Sequence, residues 1–335
     1  MRWSSVALAC LLSCGCGAKT GLATNERDAA TSVPVPDGCT VPPRPVDIVF
    51  VTDTSGSMQE ELTALADQIP SFLLGLARPP DADRDGVPDW PAVTDLHVAV
   101  APTGLGGAFA TEGDPERPEC DGSYGPYQSL ASGEVERLGR AVSCVATNMY
   151  PRSDEALLGT VARALLPSGA PLRVPAGPNL GDGAHRGFLR PGSVLVVLFL
   201  SDEDDETRCT LEEDPSCEEE CFSIAGGGRE CFGSGRLTAY IDALRSLRRP
   251  ADLLVGTLAG AAEGAATESE VLESFEGVRP TSFVCRRGLR TGLPAPRLAR
   301  FTFELGGEYR SVCSESYEEL TQAVVERVRR RVCVP

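Results

Sequence analysis

A doubly wound α/β domain, its mainly parallel sheet flanked by helices and carrying disulfide-bonded loop insertions, is the fold this sequence predicts. Short apolar, β-rich runs alternate along the chain with amphipathic helical patterns, which is the signature of a parallel sheet. Val194–Leu200 is an unbroken apolar run, as expected of a strand buried on both faces. Stretches rich in Gly and Pro near 103–128, 167–192 and 204–235 interrupt the pattern and read as insertions on one domain.

Taken in order, Arg2 precedes a short apolar run, Val6–Leu12, too short to span a bilayer. Residues 1–13 therefore read as a signal peptide. The run ends Leu11-Leu12-Ser13-Cys14, which resembles the lipobox of bacterial lipoproteins; in that family cleavage precedes the Cys, which is then acylated. An ordinary signal peptide cut at a nearby small residue is the alternative, and Cys10 and Cys16 fit the lipobox pattern less well. Several acyl chains, at about 0.8 kcal/mol per methylene, would hold the protein at the cell envelope, with the outer membrane as the expected face. Residues 14–43, rich in Ala, Thr, Pro and Gly, read as a flexible tether, and 44–335 as the folded domain.

Within the domain, Val46–Val51 reads as a buried strand. A helix follows, with Met58, Leu62, Leu65, Ile69, Phe72 and Leu73 at spacings of three and four. Leu96–Ala101, Val194–Leu200, Leu253–Leu258 and Tyr309–Cys313 read as further strands. Glu134–Val145, Asp154–Leu166, Leu237–Leu247, Pro296–Leu305 and Tyr317–Val332 read as helices.

Composition narrows function. A net charge of −17 argues against a nucleic-acid binder, which presents a basic face to phosphates. Export implies an oxidising compartment. Of the 13 cysteines, those from Cys39 onward are even in number. Proximity suggests Cys39–Cys333 as a staple of the domain ends, together with Cys120–Cys144 and Cys285–Cys313. Cys209, Cys217, Cys221 and Cys231 remain to pair among themselves. A zinc site among those four lacks the paired C-x-x-C of zinc ribbons.

In an open α/β sheet ligands bind outside the carboxyl ends of the strands. Two loops bring oxygen donors there. One holds Asp53, Ser55 and Ser57, just past the first strand, and the other holds Asp202, just past Leu200. Carboxylates and hydroxyls without His or Cys suit a hard divalent cation such as Mg²⁺ or Mn²⁺. Asp53-Thr54-Ser55-Gly56-Ser57 in this context resembles the D-x-S-x-S metal-ion-dependent adhesion site of von Willebrand factor type A domains, and Leu200-Ser201-Asp202 resembles the later loop that supplies its aspartate. The resemblance covers residues 44–333. It implies direct metal coordination by Ser55 and Ser57, acidic or water-mediated roles for Asp53 and Asp202, and a protein partner whose carboxylate completes the shell. The family's threonine has no match near 147–155, where Ser153 is the best substitute.

Other readings stand beside this one. Ser57 with Glu60 matches a helix capping box, and the acidic run Asp202–Glu206 matches an ordinary solvated face. Asp81, Asp83, Asp85 and Asp89, with Gly86, match the start of a calcium loop, although Ala92 occupies the place of an EF-hand's final Glu. His97 alternates with apolar strand residues, and His185 lies in a Gly-rich loop without an evident partner. No nucleophile elbow, Walker loop or dinucleotide fingerprint appears in its required context. The sequence thus points to a non-catalytic, lipid-anchored adhesion protein. The alternatives are a structural envelope protein whose metal and disulfides only stabilise the fold, and a metal-dependent hydrolase.

Overall fold

Val46–Thr52 forms β1, with all seven residues buried. Alternation along the strand sends Ile48 and Phe50 to one side of the sheet and Val49 and Val51 to the other. The computed structural model describes residues 43–333, apart from 87, 121, 131–133, 151–154, 173–176, 208–216, 225–227 and 236. The expected signal peptide over 1–13, Cys14 and all but the last residue of the expected tether lie outside the described residues.

After β1 come α1 (Gln59–Ala77), β2 (Leu96–Pro102), β3 (Gln128–Ser129), α2 (Val135–Ala146), α3 (Leu157–Leu165) and β4 (Val194–Leu200). A hairpin of β5 (Cys217–Ile224) and β6 (Gly228–Gly235) precedes α4 (Leu237–Leu247) and β7 (Leu253–Ala259). The chain continues through α5 (Glu268–Glu273), a second hairpin of β8 (Cys285–Arg287) and β9 (Arg290–Gly292), α6 (Pro296–Glu304), β10 (Glu308–Ser311) and α7 (Glu318–Val332).

The main sheet has the order β10-β7-β4-β1-β2-β3, parallel throughout except for β3. Side chains of α1, α2 and α7 pack on one face, and those of α3, α4 and α6 on the other. The connections leaving β1 and β4 therefore diverge to opposite faces, which opens a crevice between the carboxyl ends of these neighbouring strands. Their register is in step, with Thr52 opposite both Pro102 and Leu200. The loops starting at Asp53, Thr103 and Ser201 consequently emerge at one level.

The predicted strands and helices are present to within a few residues at their ends. The helix expected from Asp154 begins at Leu157, and the strand expected over Tyr309–Cys313 occupies Glu308–Ser311. The two hairpins were not anticipated. β5–β6 lies in the 204–235 insertion, and the Arg- and Gly-rich strands of β8–β9 lack apolar alternation. Cys120–Cys144 and Cys285–Cys313 are bonded as expected, with Cα separations of 5.2 and 6.1 Å. Cys333 is also disulfide-bonded; Cys39 lies outside the described residues. Cys221 stands opposite Cys231 in register, while Cys209 and the side chains of Cys217, Cys221 and Cys231 are not described. Among the described residues no helix is long and apolar enough to cross a membrane.

At the opposite, amino-terminal edge of the sheet, the fully buried Asp47 takes hydrogen bonds from Arg190 (backbone N–H and Nε) and from the Ser193 hydroxyl. His97 belongs to this structural edge, its Nδ1 lying 3.0 Å from the Phe188 carbonyl oxygen.

One irregularity in α1 has a compensating partner. Pro70 lies inside this helix and has no N–H for the carbonyl of Ala66. Ser143 of α2 supplies a donor in its place, its hydroxyl 2.8 Å from that oxygen and 2.9 Å from the Gly139 carbonyl of its own helix, at a point where Gly139 lets α2 approach Pro70 closely. Ser143→Ala is expected to destabilise the fold by about 1–2 kcal/mol by stranding a buried carbonyl. In the Pro70→Ala background, which restores the N–H, the loss from Ser143→Ala should be distinctly smaller. Urea unfolding of the four variants checks this, and additive effects would show that the two residues are not coupled.

Candidate metal centre

Strand β1 ends at Thr52, the Asp53 N–H still donates to the Leu200 carbonyl at 2.9 Å, and the next residues turn through a short 3-10 segment, Gly56–Met58, into α1. Asp53 is fully buried at this turn. Its Oδ1 accepts the Ser55 N–H at 2.7 Å, and its Oδ2 accepts the Ser201 hydroxyl at 2.9 Å. The Asp53 carboxylate thus joins the loop after β1 to the loop after β4. The hydroxyls of Ser55 and Ser57 lie 3.0 Å apart. Met58, not Ser57, is the N-cap of α1, and neither it nor Ser55 makes a side-chain capping bond, so the capping-box reading of Ser57 is overturned.

Asp202 faces this turn. Its N–H bonds the Met58 sulfur at 3.1 Å, and its carboxylate lies within hydrogen-bond reach of Ser57. Its Oδ1 is buried without a hydrogen-bond partner among the described residues. An unsatisfied buried carboxylate oxygen is costly and calls for a ligand. Burial, and next the nearby charge of Asp53, push the Asp202 pKa up to about 7. Burial likewise raises the pKa of Asp53 despite its hydrogen bonds.

A third loop, between α2 and α3, delivers Glu155. It sits one residue before the helix N-cap, and its backbone carbonyl accepts the N–H groups of Leu157 and Glu206. Oxygens of Glu155, Glu203 and Glu206 all lie within 4.8 Å of one another. Glu155 is buried, and desolvation, followed by the charges of Asp53, Glu203 and Glu206, pushes its pKa up to about 8. Ser153, the expected substitute for the family's threonine, lies outside the described residues. In the sequence Glu155 is only one of several polar residues in the 147–155 stretch. What singles it out is its tertiary meeting with Glu203 and Glu206, which no spacing reveals.

The acidic run after β4 is a solvated face only at its end, where Glu206 is exposed. Asp204 accepts the N–H groups of Arg297 and Leu298 at 2.9 and 3.0 Å, capping the start of α6. Asp205 accepts the Leu158 N–H at the start of α3, the Thr207 hydroxyl and the Arg297 Nε. Carboxylates at helix N-termini satisfy orphan donors and meet the favourable end of the helix dipole. Asp202 and Glu203 remain directed to the site while their successors fasten helices to it.

Elsewhere, Asp81, Asp83 and Asp89 bring carboxylate oxygens within 4.8 Å of one another in an exposed turn; Asp85 is not in that set. The Asp81 carboxylate accepts the N–H groups of Asp85 and Gly86, and Arg84 and Gly86 take positive φ. His185 is far from a free base. It is buried against Phe109, its Nε2 accepts the Phe109 N–H at 3.1 Å, and its Nδ1 donates to the Ala164 carbonyl at 2.8 Å. Burial lowers its pKa, so the ring is neutral and structural.

No protein-family model matches the chain, and no curated protein does. Among solved structures it is similar to proximal thread matrix protein 1 from the mussel byssus, with 10% identity over 85% of this chain and 48% of that one and a TM-score of 0.35. It is also similar to the human COPII-coat protein Sec24c, with 10% identity over 87% of this chain and 33% of that one and a TM-score of 0.37. The chain thus spans less than half the length of these structures, and likenesses of this size carry no argument about function.

The buried acids fix a pH dependence. Asp53, Asp202, Glu155, Glu203 and Asp204 all have folded-state pKa values raised above their ordinary ones, first by desolvation. Such groups hold protons in the folded chain where the unfolded chain has released them, so their contribution is present below about pH 4 and is lost as pH rises toward 7–8. In chelator, melting is expected at a higher temperature at pH 5.5 than at pH 8. Glu155→Gln should narrow the gap. A chelated protein that melts higher at pH 8 in differential scanning calorimetry would contradict this assignment.

Proposed function

We propose that residues 44–335 form a von Willebrand factor type A-like binding module that recognises a carboxylate-bearing protein ligand through a divalent cation. The buried, unpartnered Oδ1 of Asp202 carries this reading. It lies in the crevice between β1 and β4, beside the linked oxygens of Asp53, Ser55 and Ser57. Asp53, Ser55, Ser57 and Asp202 would hold the cation, with Glu155 in place of the threonine. Hard oxygen donors in an acidic pocket suit Mg²⁺ or Mn²⁺. The cation would relieve the repulsion among the carboxylates and present an electrophile to the partner.

This module serves adhesion at the cell envelope, on a chain lipidated at Cys14 and held at the outer membrane. We read it as a binder rather than a catalyst, because His185 is engaged at both ring nitrogens and His97 lies at the opposite edge of the sheet. Asp81, Asp83 and Asp89 form a partial calcium site in this reading. The role of Asp204 and Asp205 in fastening α3 and α6 favours one second reading, in which the whole acidic loop serves stability alone.

Calorimetric titration with Mg²⁺ and Mn²⁺ decides between them. Asp202→Asn is expected to weaken one Mn²⁺ site by at least about tenfold, the size of effect that even outer-shell partners have, while Asp204→Asn lowers the melting temperature without abolishing that site. Cation at 100 times its Kd should add about 2.7 kcal/mol of stability. Mn²⁺ binding unchanged in Asp202→Asn would sink the adhesion-site reading. Asp83→Asn should weaken a separate Ca²⁺ site and leave the Mn²⁺ site intact.

A further inference from the structure

The segment Arg279–Arg290 contains four arginines and no carboxylate, in a chain of net charge −17. It also carries Phe283 and Leu289, 51% and 77% exposed, the large hydrophobic residues left on the surface among the described residues. The Arg286 guanidinium lies 4.8 Å from the Phe283 ring centre. Arg287 pairs with Glu263 and Glu315, and Arg290 stacks on Tyr317. Arg279 and Arg286 make no ion pair among the described residues. Arg and aromatic side chains side by side are the composition of protein interfaces rather than of ordinary surface.

This ledge is rigid and stands next to the metal centre. The β8–β9 pairing sets Cys285 opposite Gly292, and the Cys285–Cys313 disulfide ties the hairpin to the end of β10. At its base the Leu293 N–H donates to the Asp202 backbone carbonyl at 2.7 Å. The packing there is so close that a Cβ on Gly260 would meet the Leu293 carbonyl oxygen at 1.6 Å. The backbone of the residue that completes the acidic pocket is thus bonded directly to the root of a basic, partly apolar ledge.

We infer that the ledge at Arg279, Phe283, Arg286 and Leu289 is the second contact for the partner of the metal centre, and that it docks an acidic protein segment carrying an apolar side chain. The inference rests on the metal-dependent reading of Asp202. Charge complementarity selects the occupant. A chain of net charge −17 repels carboxylates overall, and the ledge attracts them at the place where one carboxylate of the same segment reaches the cation. Electrostatic complementarity of this kind sets register and association rate more than affinity alone.

The test uses a fluorescein-labelled peptide of alternating Asp and Leu residues, followed by fluorescence anisotropy with Mn²⁺ at low and moderate salt. Binding is expected to weaken as salt rises. The double charge reversal Arg279→Glu/Arg286→Glu should weaken it by about tenfold while the Mn²⁺ titration and melting temperature stay unchanged. Phe283→Ala/Leu289→Ala should weaken binding at moderate salt as well. Asp202→Asn should remove only the Mn²⁺-dependent part. Loss of peptide binding in the arginine variant together with a flat Mn²⁺ titration of the wild type would uphold the ledge and refute the metal reading. No peptide binding at low salt, or equal binding by the arginine variant, overturns the ledge. So does an arginine variant whose only defect is lost binding to phosphatidylglycerol vesicles, which would assign the ledge to a membrane surface.

Discussion

The Asp53 carboxylate, bonded at one oxygen to the Ser55 N–H and at the other to the Ser201 hydroxyl, is the tie on which the carboxyl edge of this fold depends. Parallel strands carry no direct connection at their ends, and where their crossovers part to opposite faces a crevice is unavoidable. A fully buried charge is expensive unless several donors meet it. Here the donors come from the two strands that border the crevice, so the bond pattern that makes the charge tolerable also fixes the loops relative to each other. Ser55, Ser57 and Asp202 inherit their positions from it.

Around that tie the chain gathers more negative charge than its own donors can balance. Two unit charges about 5 Å apart repel by about 3 kcal/mol at an effective dielectric of about 20. Glu155, Glu203 and Glu206 bring oxygens within 4.8 Å of one another, beside Asp53 and Asp202. A domain whose whole stability is about 5–15 kcal/mol does not sustain several such repulsions in the ionised state. The raised pKa values of Glu155, about 8, and Asp202, about 7, express the same conflict. Protons or cations must resolve it, and which of them does so depends on pH.

Much of this was legible in the sequence because it rests on local pattern. Val194–Leu200 announces a buried parallel strand through unbroken apolar residues, Val46–Thr52 does so with only Asp47 and Thr52 polar, and the Asp53–Ser57 turn follows directly from the latter. Both disulfides among the described residues joined cysteines whose proximity in sequence suggested the pair. What escaped detection was tertiary in origin. Asp204 and Asp205 look like solvated acids until the amino ends of α6 and α3 are seen to meet them. Glu155 belongs to an unremarkable polar loop until the chain folds it against residues some fifty positions later. The β8–β9 strands, Cys285–Arg287 and Arg290–Gly292, carry no apolar alternation, and their place is set by a disulfide and by backbone bonds to distant residues.

In the proposed binding mode, Glu155 in the place of a threonine has a chemical consequence. A hydroxyl ligand leaves a divalent cation with residual positive charge, and that charge draws in a partner's carboxylate. A fully ionised Glu155 beside Asp53 and Asp202 would cancel the charge and compete with the partner for the same ion. A protonated Glu155 behaves otherwise: it is neutral, and it offers an oxygen acceptor much as a hydroxyl does. Without a cation, desolvation followed by the charges of Asp53, Glu203 and Glu206 pushes the Glu155 pKa up to about 8, so this carboxyl is largely protonated near neutrality. On this argument the acidic surroundings of the pocket do more than attract a cation. They hold a proton on one carboxyl in the cation's absence, and a cation held by Asp53, Ser55, Ser57 and Asp202 in the proposed mode would lower that pKa again, so uptake would release a proton and weaken as pH falls.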